Sequence, residues 1–305
     1  EAEALHDVLR LSEGMTFKAA AAGLDLGGGK AVLIGDLEHK TPEMLHSFGR
    51  LVQRLGGSYI TAEDVGTTVS DLVEVSSTTR WVTGLPFDMG GSGDPSPATA
   101  RGVVGAMRAA GQQLWSSADL ADRTIAIQGV GKVGSHLARL LAEEGATVLV
   151  SDIDRPCAEE VAESIGAEPC PPDEILTRPC DVLAPCALGG VLDQATIPRL
   201  RCAAVVGSAN NQLADPACAE RLAERDILYV PDYLANAGGI INISAELDPG
   251  GYDADRARDM VDDIEDRVGQ ILAQAVASGT SPAEAAAALA RRRLEKSARN
   301  AGVAV

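Results

Sequence analysis

A glycine-rich segment between two strand-like runs constrains the fold of this chain more than any other feature. The apolar run Thr124–Gln128 leads directly into residues 129–134, which read GVGKVG. An amphipathic run from His136 follows, and a second apolar run, Thr147–Ser151, ends at Asp152. A strand, a Gly-x-Gly-x-x-Gly turn, a helix, a second strand and an acidic residue about 20 positions further on form the pattern that binds dinucleotides. The segment therefore predicts a βαβ unit with a nucleotide site.

Each of the three glycines in this turn has its own structural role in the dinucleotide-binding pattern. They permit the tight turn, the close approach of the backbone to a pyrophosphate, and the packing of the helix against the strand. The N-terminus of the following helix then offers amide groups and a positive dipole end to the phosphates. The cofactor-binding residues predicted in this segment are Gly129, Gly131, Lys132, Val133, Gly134 and Asp152.

The alternation of patterns after residue 124 predicts the rest of this region. Strand-like runs alternate with helical runs, which is typical of a doubly wound parallel sheet. The predicted strands are residues 124–128, 147–151, 182–184, 203–207 and 227–230. After Pro231 the pattern becomes wholly helical, over residues 233–247, 255–278 and 282–298.

The first part of the chain combines helical patterns with short strands. The predicted helices are residues 3–22, 41–56 and 95–115, and the predicted strands lie near 31–34 and 58–61. We therefore predict an α/β protein of two domains, a first mixed α/β domain and a Rossmann-like doubly wound dinucleotide-binding domain, with C-terminal helices that pack back on the first domain. The predicted ranges are 1–118, 119–235 and 236–305. A cleft closed in this way would be the place for catalysis between a cofactor and a small substrate.

Two short segments of the first part carry candidate catalytic groups. Residues 27–30 (GGGK) place Lys30 before an apolar run, and a lysine held against an apolar wall has a lowered pKa. Residues 61–68 (TAEDVGTT) place Glu63 and Asp64 after a short strand-like run. Each segment also has a simpler interpretation, as a glycine turn with a solvated lysine and as an acidic helix cap.

Composition limits the classes of partner. A net charge of −18 argues against nucleic acid and anionic membrane surfaces. No stretch approaches the ~20 apolar residues of a membrane span. The six cysteines contain no Cys-x-x-Cys pair, and the four histidines make no metal-ligand spacing. We therefore expect reduced thiols, no metal and a cytoplasmic location.

Seven ordered blocks of the chain together resemble the amino acid dehydrogenases, specifically the leucine/valine/phenylalanine dehydrogenase branch related to glutamate dehydrogenases. The blocks are residues 14–36, 61–68, 93–103, 129–134, 184–190, 207–216 and 231–242. The resemblance spans nearly the whole chain. It implies a substrate domain, a Rossmann-like NAD domain and C-terminal helices that cross back, in agreement with the outline from the patterns.

The resemblance also implies roles for residues of the first two blocks. Lys18 would pair with the substrate carboxylate, and Met15 in the same block would contact the substrate. Lys30 would be the general acid/base that activates the attacking water, and Asp64 would move protons to and from the amino nitrogen. A charged Lys18 beside a Lys30 of lowered pKa is chemically coherent, because neighbouring cations disfavour charging of one of the pair.

For the cofactor, the resemblance implies NAD. Thr99 and residues 208–210 would orient the nicotinamide, and residues 236–239 would line the cleft. Asp152 would hold the adenosine ribose hydroxyls and repel a 2′-phosphate, which favours NAD over NADP. Cys186 falls in a loop near the cofactor but has a simpler interpretation as a small packing residue. The implied residues outside the glycine segment are Thr99, Cys186, Ala187, Ser208, Ala209, Asn210 and Asn236, and Asn210 is also expected to contact the substrate.

The implied reaction is the reversible oxidative deamination of an L-amino acid to a 2-oxo acid and ammonia by a homo-oligomer. The positions that shape the family's side-chain pocket are Ala62, Ile240 and Ile243 here. None could pair with a side-chain carboxylate, whose unpaired burial is costly, so glutamate is disfavoured. Two isoleucines narrow the pocket and favour a branched aliphatic substrate over a ring, although several aliphatic substrates are expected to fit.

Two departures from the family pattern matter. The chain begins without Met, in the middle of a predicted helix, and lacks the stretch that family members carry before the position of Glu1. We expect that stretch to be disordered, removed or absent, and true absence would put activity and assembly in doubt. Asp94 stands where the family pattern has Asn, and it adds a negative charge on the cofactor side.

Three alternatives to aliphatic deamination stay open. The first is a dehydrogenase for phenylalanine or another aromatic amino acid. The second is a relative that reduces or couples imines in a biosynthetic pathway. The third is an NAD-binding regulator without catalysis, and the joint presence of Lys18, Lys30 and Asp64 argues against it.

Overall fold

A computed structural model of the chain describes residues 2–35, 40–64 and 66–300. Asp36 and Val65, which belong to two of the sequence blocks, lie outside the described residues, as do both chain ends. The helices are α1 Ala2–Ala21, α2 Pro42–Arg54, α3 Val69–Ser76, α4 Ser96–Trp115, α5 Lys132–Glu143, α6 Arg155–Ile165, α7 Cys218–Ala223, α8 Asp232–Ala235, α9 Gly238–Ser244, α10 Ala254–Ser278 and α11 Pro282–Asn300. The strands are β1 Thr124–Gln128, β2 Thr147–Ser151, β3 Glu168–Pro169, β4 Val182–Pro185, β5 Ala204–Val205 and β6 Leu228–Tyr229.

The six strands form one parallel sheet in the order β3-β2-β1-β4-β5-β6. This order places β1 at the centre, and the chain winds from it first to one side and then to the other, as in dinucleotide-binding folds. Ile125, Ala126 and Ile127 of β1 have no exposed surface, as expected for a strand covered on both faces. The predicted doubly wound α/β fold is confirmed, and the predicted bounds of β1 and β2 agree with the structure.

The chain packs as two compact units. One contains Glu1–Pro95 and Ile240–Arg258, and the other contains Ser96–Gly239 and Asp259–Val305. Helix α4 therefore groups with the sheet, although the predicted substrate domain extended to residue 118. The reason is the packing of α4 against α5 of the same unit, to which Arg108 adds ion pairs with Glu144 (2.7 Å) and Glu265 (3.7 Å). The functional division at residues 118 and 235 stays a prediction.

Within the first unit, the strand predicted at 31–34 is wrong. Residues 31–34 have no regular structure, and Val32, Leu33 and Ile34 are 40%, 41% and 69% exposed. An apolar run forms a strand only when a neighbouring strand pairs with its backbone, and among the described residues no strand pairs with this run. The strand predicted near 58–61 is reduced to a single parallel bridge between Thr61 and Val82.

Helix α3, which the sequence patterns did not predict, begins with a reciprocal cap. The Thr68 hydroxyl accepts from Asp71 N (3.2 Å), and the Asp71 carboxylate accepts from Thr68 N (2.9 Å). This cap places a helix directly after the segment that carries Asp64. None of the helices in the described part of the chain has the length and apolar character needed to cross a membrane.

Candidate active site

The glycine segment forms a tight turn between β1 and α5. Gly129 has a φ of +93°, and a Cβ there would lie 2.7 Å from Cβ of Ala187. A Cβ on Gly134 would lie 1.9 Å from O of Gly129, so only glycine allows α5 to pack this close to the strand end. Gly131 is the N-cap residue of α5, and no atom lies within 4 Å of the position that a Cβ would take there. Lys132 and Val133 begin the helix. The turn therefore leaves room for a ligand at the helix N-terminus.

Asp152 ties the end of β2 to this turn. Its carboxylate accepts hydrogen bonds from Val130 N (2.8 Å) and Asp154 N (3.0 Å). The Gly129 N–H donates to Ser151 O at 2.7 Å. A carboxylate has about four acceptor sites, so these two bonds leave capacity for ribose hydroxyls. Asp152 thus lies beside the glycine turn, as the pattern predicts.

The loops after β4 and β5 lie at the same edge of the sheet. Cys186 N donates to Gln128 O at 2.7 Å, and Ala209 N donates to Pro185 O at 2.9 Å. Burial raises the pKa of the Cys186 thiol, and the nearby Ser208 offsets part of this effect. A thiol of raised pKa is a poor nucleophile, which favours the packing interpretation of Cys186.

Asn236 connects a third loop to this edge. Its Nδ2 donates to Ser208 O (3.0 Å) and to Asn210 Oδ1 (2.9 Å). A Cβ on Gly238 would lie 3.1 Å from Cα of Thr99, so the start of α4 packs against the same loop. The structure thereby brings together Thr99, residues 208–210 and Asn236, which are far apart in the sequence.

Gln212 organises this edge and was missed by the sequence reasoning. It is completely buried, and its Nε2 donates to Gly207 O (2.9 Å) and Ala209 O (3.1 Å). Its own N–H donates to the Asp232 carboxylate at 3.0 Å. The only sequence signal is a glutamine within the block of residues 207–216, where a polar side chain normally indicates a solvated loop.

Unpaired acceptors at this edge suit a polar ligand. Within the described residues, the buried atoms Gln128 Oε1, Ser151 Oγ and Asn236 Oδ1 have no hydrogen-bond partner in the protein. Buried polar atoms in native proteins are normally satisfied, so each calls for a partner from outside the chain. Hydroxyl and amide donors of a dinucleotide are suitable partners. The residues present therefore fit a nicotinamide dinucleotide.

In the other unit, Lys30 and Asp64 form an ion pair between Nζ and Oδ2. The Lys30 side chain is 22% exposed and that of Asp64 is 47% exposed. Burial lowers the pKa of Lys30. Thr67 fixes the Asp64 backbone, since its Oγ1 accepts from Asp64 N (2.9 Å) and donates to Asp64 O (2.8 Å). A lysine of lowered pKa in contact with a carboxylate can exchange protons with a ligand.

Two of the three glycines before Lys30 are explained by packing within the protein, whereas no atom lies within 4 Å of a Cβ position on Gly27. A Cβ on Gly28 would lie 2.1 Å from O of Ser12 in α1, and one on Gly29 would lie 2.7 Å from the Tyr59 ring. Gly28 and Gly29 therefore permit a close approach to α1 and to an aromatic ring, and the expected approach to a ligand stays a prediction. The half-buried Met15 and Lys18 belong to the same helix, Lys18 in its last turn.

The three predicted pocket residues, Ala62, Ile240 and Ile243, are all half-buried in this unit. Ile240 and Ile243 are three positions apart in α9, so their side chains lie on one face of the helix. Ala62 follows the bridge residue Thr61 and precedes Glu63 and Asp64. A shared pocket of the three residues stays a prediction.

Comparison with known proteins gives a consistent result. A family model for Glutamate/Leucine/Phenylalanine/Valine dehydrogenase matches residues 90–155 and 150–302, and one for the Glu/Leu/Phe/Val dehydrogenase dimerisation domain matches residues 1–81. Leucine dehydrogenase of Geobacillus stearothermophilus is 46% identical over 296 residues, covering 97% of this chain and 80% of that protein. Valine dehydrogenase of Streptomyces coelicolor is 47% identical over 298 residues, covering 96% and 81%.

Among solved structures, L-tryptophan dehydrogenase from Nostoc punctiforme superposes with a TM-score of 0.84 at 41% identity, covering 97% of this chain and 85% of that one. The matched regions include the glycine turn and the segments that carry Lys30 and Asp64. The chain therefore belongs to the glutamate/leucine/phenylalanine/valine dehydrogenase family and is an amino acid dehydrogenase.

Proposed function

We propose that this enzyme catalyses the NAD-dependent, reversible oxidative deamination of an aliphatic L-amino acid to a 2-oxo acid and ammonia. The ion pair of Lys30 with Asp64 carries the proposal, because it joins a lysine of lowered pKa to a carboxylate in a family of dehydrogenases. The leucine and valine dehydrogenases among its relatives support an aliphatic substrate.

The cofactor would be held by the sheet-containing unit. Residues 129–134 would receive the pyrophosphate at the N-terminus of α5, and Asp152 would accept from the adenosine ribose. Thr99, Ser208 and Asn236 would orient the nicotinamide ring. When bound, NAD accepts a hydride from the substrate α-carbon.

The protein's own groups would bind the substrate and move protons. Lys18 would pair with the substrate carboxylate and hold the α-carbon in a fixed orientation. Asp64 would take a proton from the amino nitrogen and return one to the departing ammonia. Lys30, in its neutral form, would take a proton from the water that adds to the imine, and its lowered pKa makes this form accessible.

The side-chain pocket supports the aliphatic assignment. Ala62, Ile240 and Ile243 present only hydrocarbon, so a substrate with a distal carboxylate would lose its hydration without gaining a partner. Shape discrimination by a methylene or two is worth only ~1–3 kcal/mol, so valine, leucine and isoleucine are all expected to react.

An aromatic amino acid is the second candidate substrate. The specific observation in its favour is the solved L-tryptophan dehydrogenase, whose fold this chain shares over 97% of its length at 41% sequence identity. The two candidates differ in the pocket width that Ile240 and Ile243 leave. We also propose a homo-oligomer, supported by the match of residues 1–81 to a dimerisation domain, and a cytoplasmic location.

The test is NADH formation, followed by absorbance, with a panel of amino acids, and NADH consumption with 2-oxo acids and ammonia. We expect turnover with valine, leucine and isoleucine ahead of phenylalanine and tryptophan, and negligible turnover with glutamate. Preference for glutamate would refute the pocket assignment, and preference for an aromatic substrate would favour the second candidate. NAD binding without turnover of any amino acid would refute deamination and favour a relative that acts on imines.

A further inference from the structure

Two thiols lie side by side at the amino ends of β4 and β5, opposite to the edge that carries the glycine turn. The two strands pair in parallel with Val182 opposite Ala204. The hydrogen bond from Cys180 N to Arg201 O, 3.1 Å long, extends this pairing toward the strand starts. Two residues back along each strand, Cys180 therefore lies opposite Cys202.

Both side chains lie on the same face of the sheet. Cys180 and Cys202 pack against one buried apolar cluster, which includes Ile197, Leu200 and Leu222. The two thiols lie close enough for one to donate to the other. Paired strands run about 4.7–4.9 Å apart, which is within the Cα separation of about 4.4–6.8 Å that a disulfide spans. A disulfide could therefore form here with little backbone movement.

The two thiols have different electrostatic surroundings. The hydrogen bond from Cys180, supported by the charge of Arg225, lowers the pKa of Cys202. Arg225 is fixed in place because its guanidinium donates to Ile197 O and to Leu200 O (3.1 Å). The same thiol–thiol hydrogen bond, together with burial and the charge of Asp181, raises the pKa of Cys180. Cys202 therefore gives up its proton more readily than Cys180.

We propose that Cys180 and Cys202 form a reversible disulfide when the protein meets a peroxide. The Cys202 thiolate attacks one peroxide oxygen, the O–O bond breaks, and one water leaves after protonation, which gives a sulfenic acid on Cys202. The Cys180 sulfur then attacks the Cys202 sulfur, the S–OH group leaves as a second water with the Cys180 proton, and the S–S bond forms. Two thiols lose two electrons in total, and one peroxide gains them. A dithiol reductant restores the pair by exchange.

The remaining cysteines have surroundings that disfavour the same reaction. Cys170 and Cys218 are buried, whereas Cys180 and Cys202 are half-buried. The pKa of Cys157 is raised by burial and by nearby carboxylates, and the pKa of Cys186 is raised by burial. Oxidation at low peroxide is therefore expected to be selective for the pair.

The experiment treats the full-length protein with a small excess of hydrogen peroxide, blocks the remaining thiols, and maps non-reduced peptides by mass spectrometry. We expect one product, two hydrogen atoms lighter, in which the peptides of Cys180 and Cys202 are linked, and dithiothreitol should reverse it. In Cys180→Ser, a sulfenic-acid trap should label Cys202. In Cys202→Ser, thiol loss should slow by about tenfold or more, as expected when the thiolate is removed.

Cys186→Ser is the matched control, and it should form the same link at the wild-type rate. The proposal is overturned if wild-type protein gives no link between the two peptides, if Cys186 or Cys157 is oxidised first, or if the trap labels a cysteine other than Cys202. The peptide map of the wild-type protein tests the link without any substitution, so a variant that folds poorly does not weaken the test.

Discussion

At the scale of the single residue, two opposing effects act on the pKa of Lys30. Burial lowers its pKa, whereas the carboxylate of Asp64 favours its charged form. Because burial lowers its pKa, Lys30 gives up its proton more readily than an exposed lysine does. The proposed chemistry needs both states of Lys30 in each turnover.

Lys30→Ala tests this role directly. We expect kcat to fall by the ~10²–10⁴-fold typical of a general acid/base, because the proposed mechanism assigns the proton of the attacking water to Lys30. Lys18→Ala is the matched comparison, and it should mainly raise the KM for the amino acid. Steady-state kinetics at saturating NAD distinguish the two. Near-normal kcat in Lys30→Ala would show that the role is wrongly assigned.

The protonation of Lys30 can be followed without activity. The rate at which acetic anhydride labels an amine follows the neutral fraction of that amine. The pH at which the labelling rate of Lys30 is half-maximal should therefore lie below the ordinary lysine pKa of about 10.4. Asp64→Asn removes the charge that favours the ammonium form and should move this midpoint further down. Mass spectrometry of the Lys30 peptide gives the curve, with exposed Lys296 as the internal reference. A midpoint at or above about 10.4 would contradict the effect of burial.

Asp152 should decide the choice of cofactor. Its carboxylate lies beside the glycine turn, where a 2′-phosphate would bring a second negative charge. We expect kcat/KM to favour NAD over NADP by about tenfold or more, which is ~1.4 kcal/mol. Asp152→Ala should narrow that ratio. Equal kcat/KM values for the two cofactors in the wild type would exclude this role for Asp152.

At the scale of the element, sequence patterns predicted the bounds of those strands that depend on neighbouring residues alone. The bounds of β1 and β2 follow from apolar runs that end at glycine or at an acidic residue, and the structure has the same bounds. Residues 31–34 have the same character, yet they form no strand because pairing depends on a distant partner. The glycine turn was predictable because its three glycines are adjacent in sequence to the strand and helix that they join.

Long-range contacts limited the prediction of the site. The contacts of Gly28 with Ser12 and of Gly29 with Tyr59 leave no local signal, so packing within the protein was not predicted for these two glycines. Gln212 was missed because a buried polar side chain cannot be told from a solvated one without its partners. Lys30 and Asp64 are 34 residues apart, and only the family resemblance joined them before the structure did.

Helix α9 offers a test of the side-chain pocket. Ile240 and Ile243 share one face, so Ile243→Ala should enlarge the pocket and shift preference toward phenylalanine. The ratio of kcat/KM for phenylalanine to kcat/KM for an aliphatic substrate should therefore change. Expressed as a free energy, the change should stay within the ~1–3 kcal/mol that apolar contacts control. Ile241→Val is the control on the same helix, since Ile241 is 1% exposed and should affect stability with no change of preference. An unchanged ratio in Ile243→Ala would remove this residue from the pocket.

At the scale of the whole molecule, the two compact units carry different parts of the proposed function. One contains the Lys30–Asp64 pair, and the other contains the sheet with the glycine turn. Cofactor binding and proton transfer should therefore be separable by mutation. A ligand that binds only the folded state stabilises it, by about 2.7 kcal/mol at 100 times its Kd.

NADH should therefore raise the Tm of the wild type and of Lys30→Ala to the same extent. Gly131→Val should leave the Tm without NADH close to the wild-type value, because Gly131 has a φ of −64° and a Cβ there meets nothing within 4 Å. The same side chain would occupy the space through which the pyrophosphate approaches, so the shift with NADH should disappear. Gly134→Val is the contrasting variant and should lower the Tm even without NADH, since its Cβ would collide with Gly129 O. Scanning calorimetry with and without NADH measures each of these proteins, and a full NADH shift in Gly131→Val would place the cofactor elsewhere.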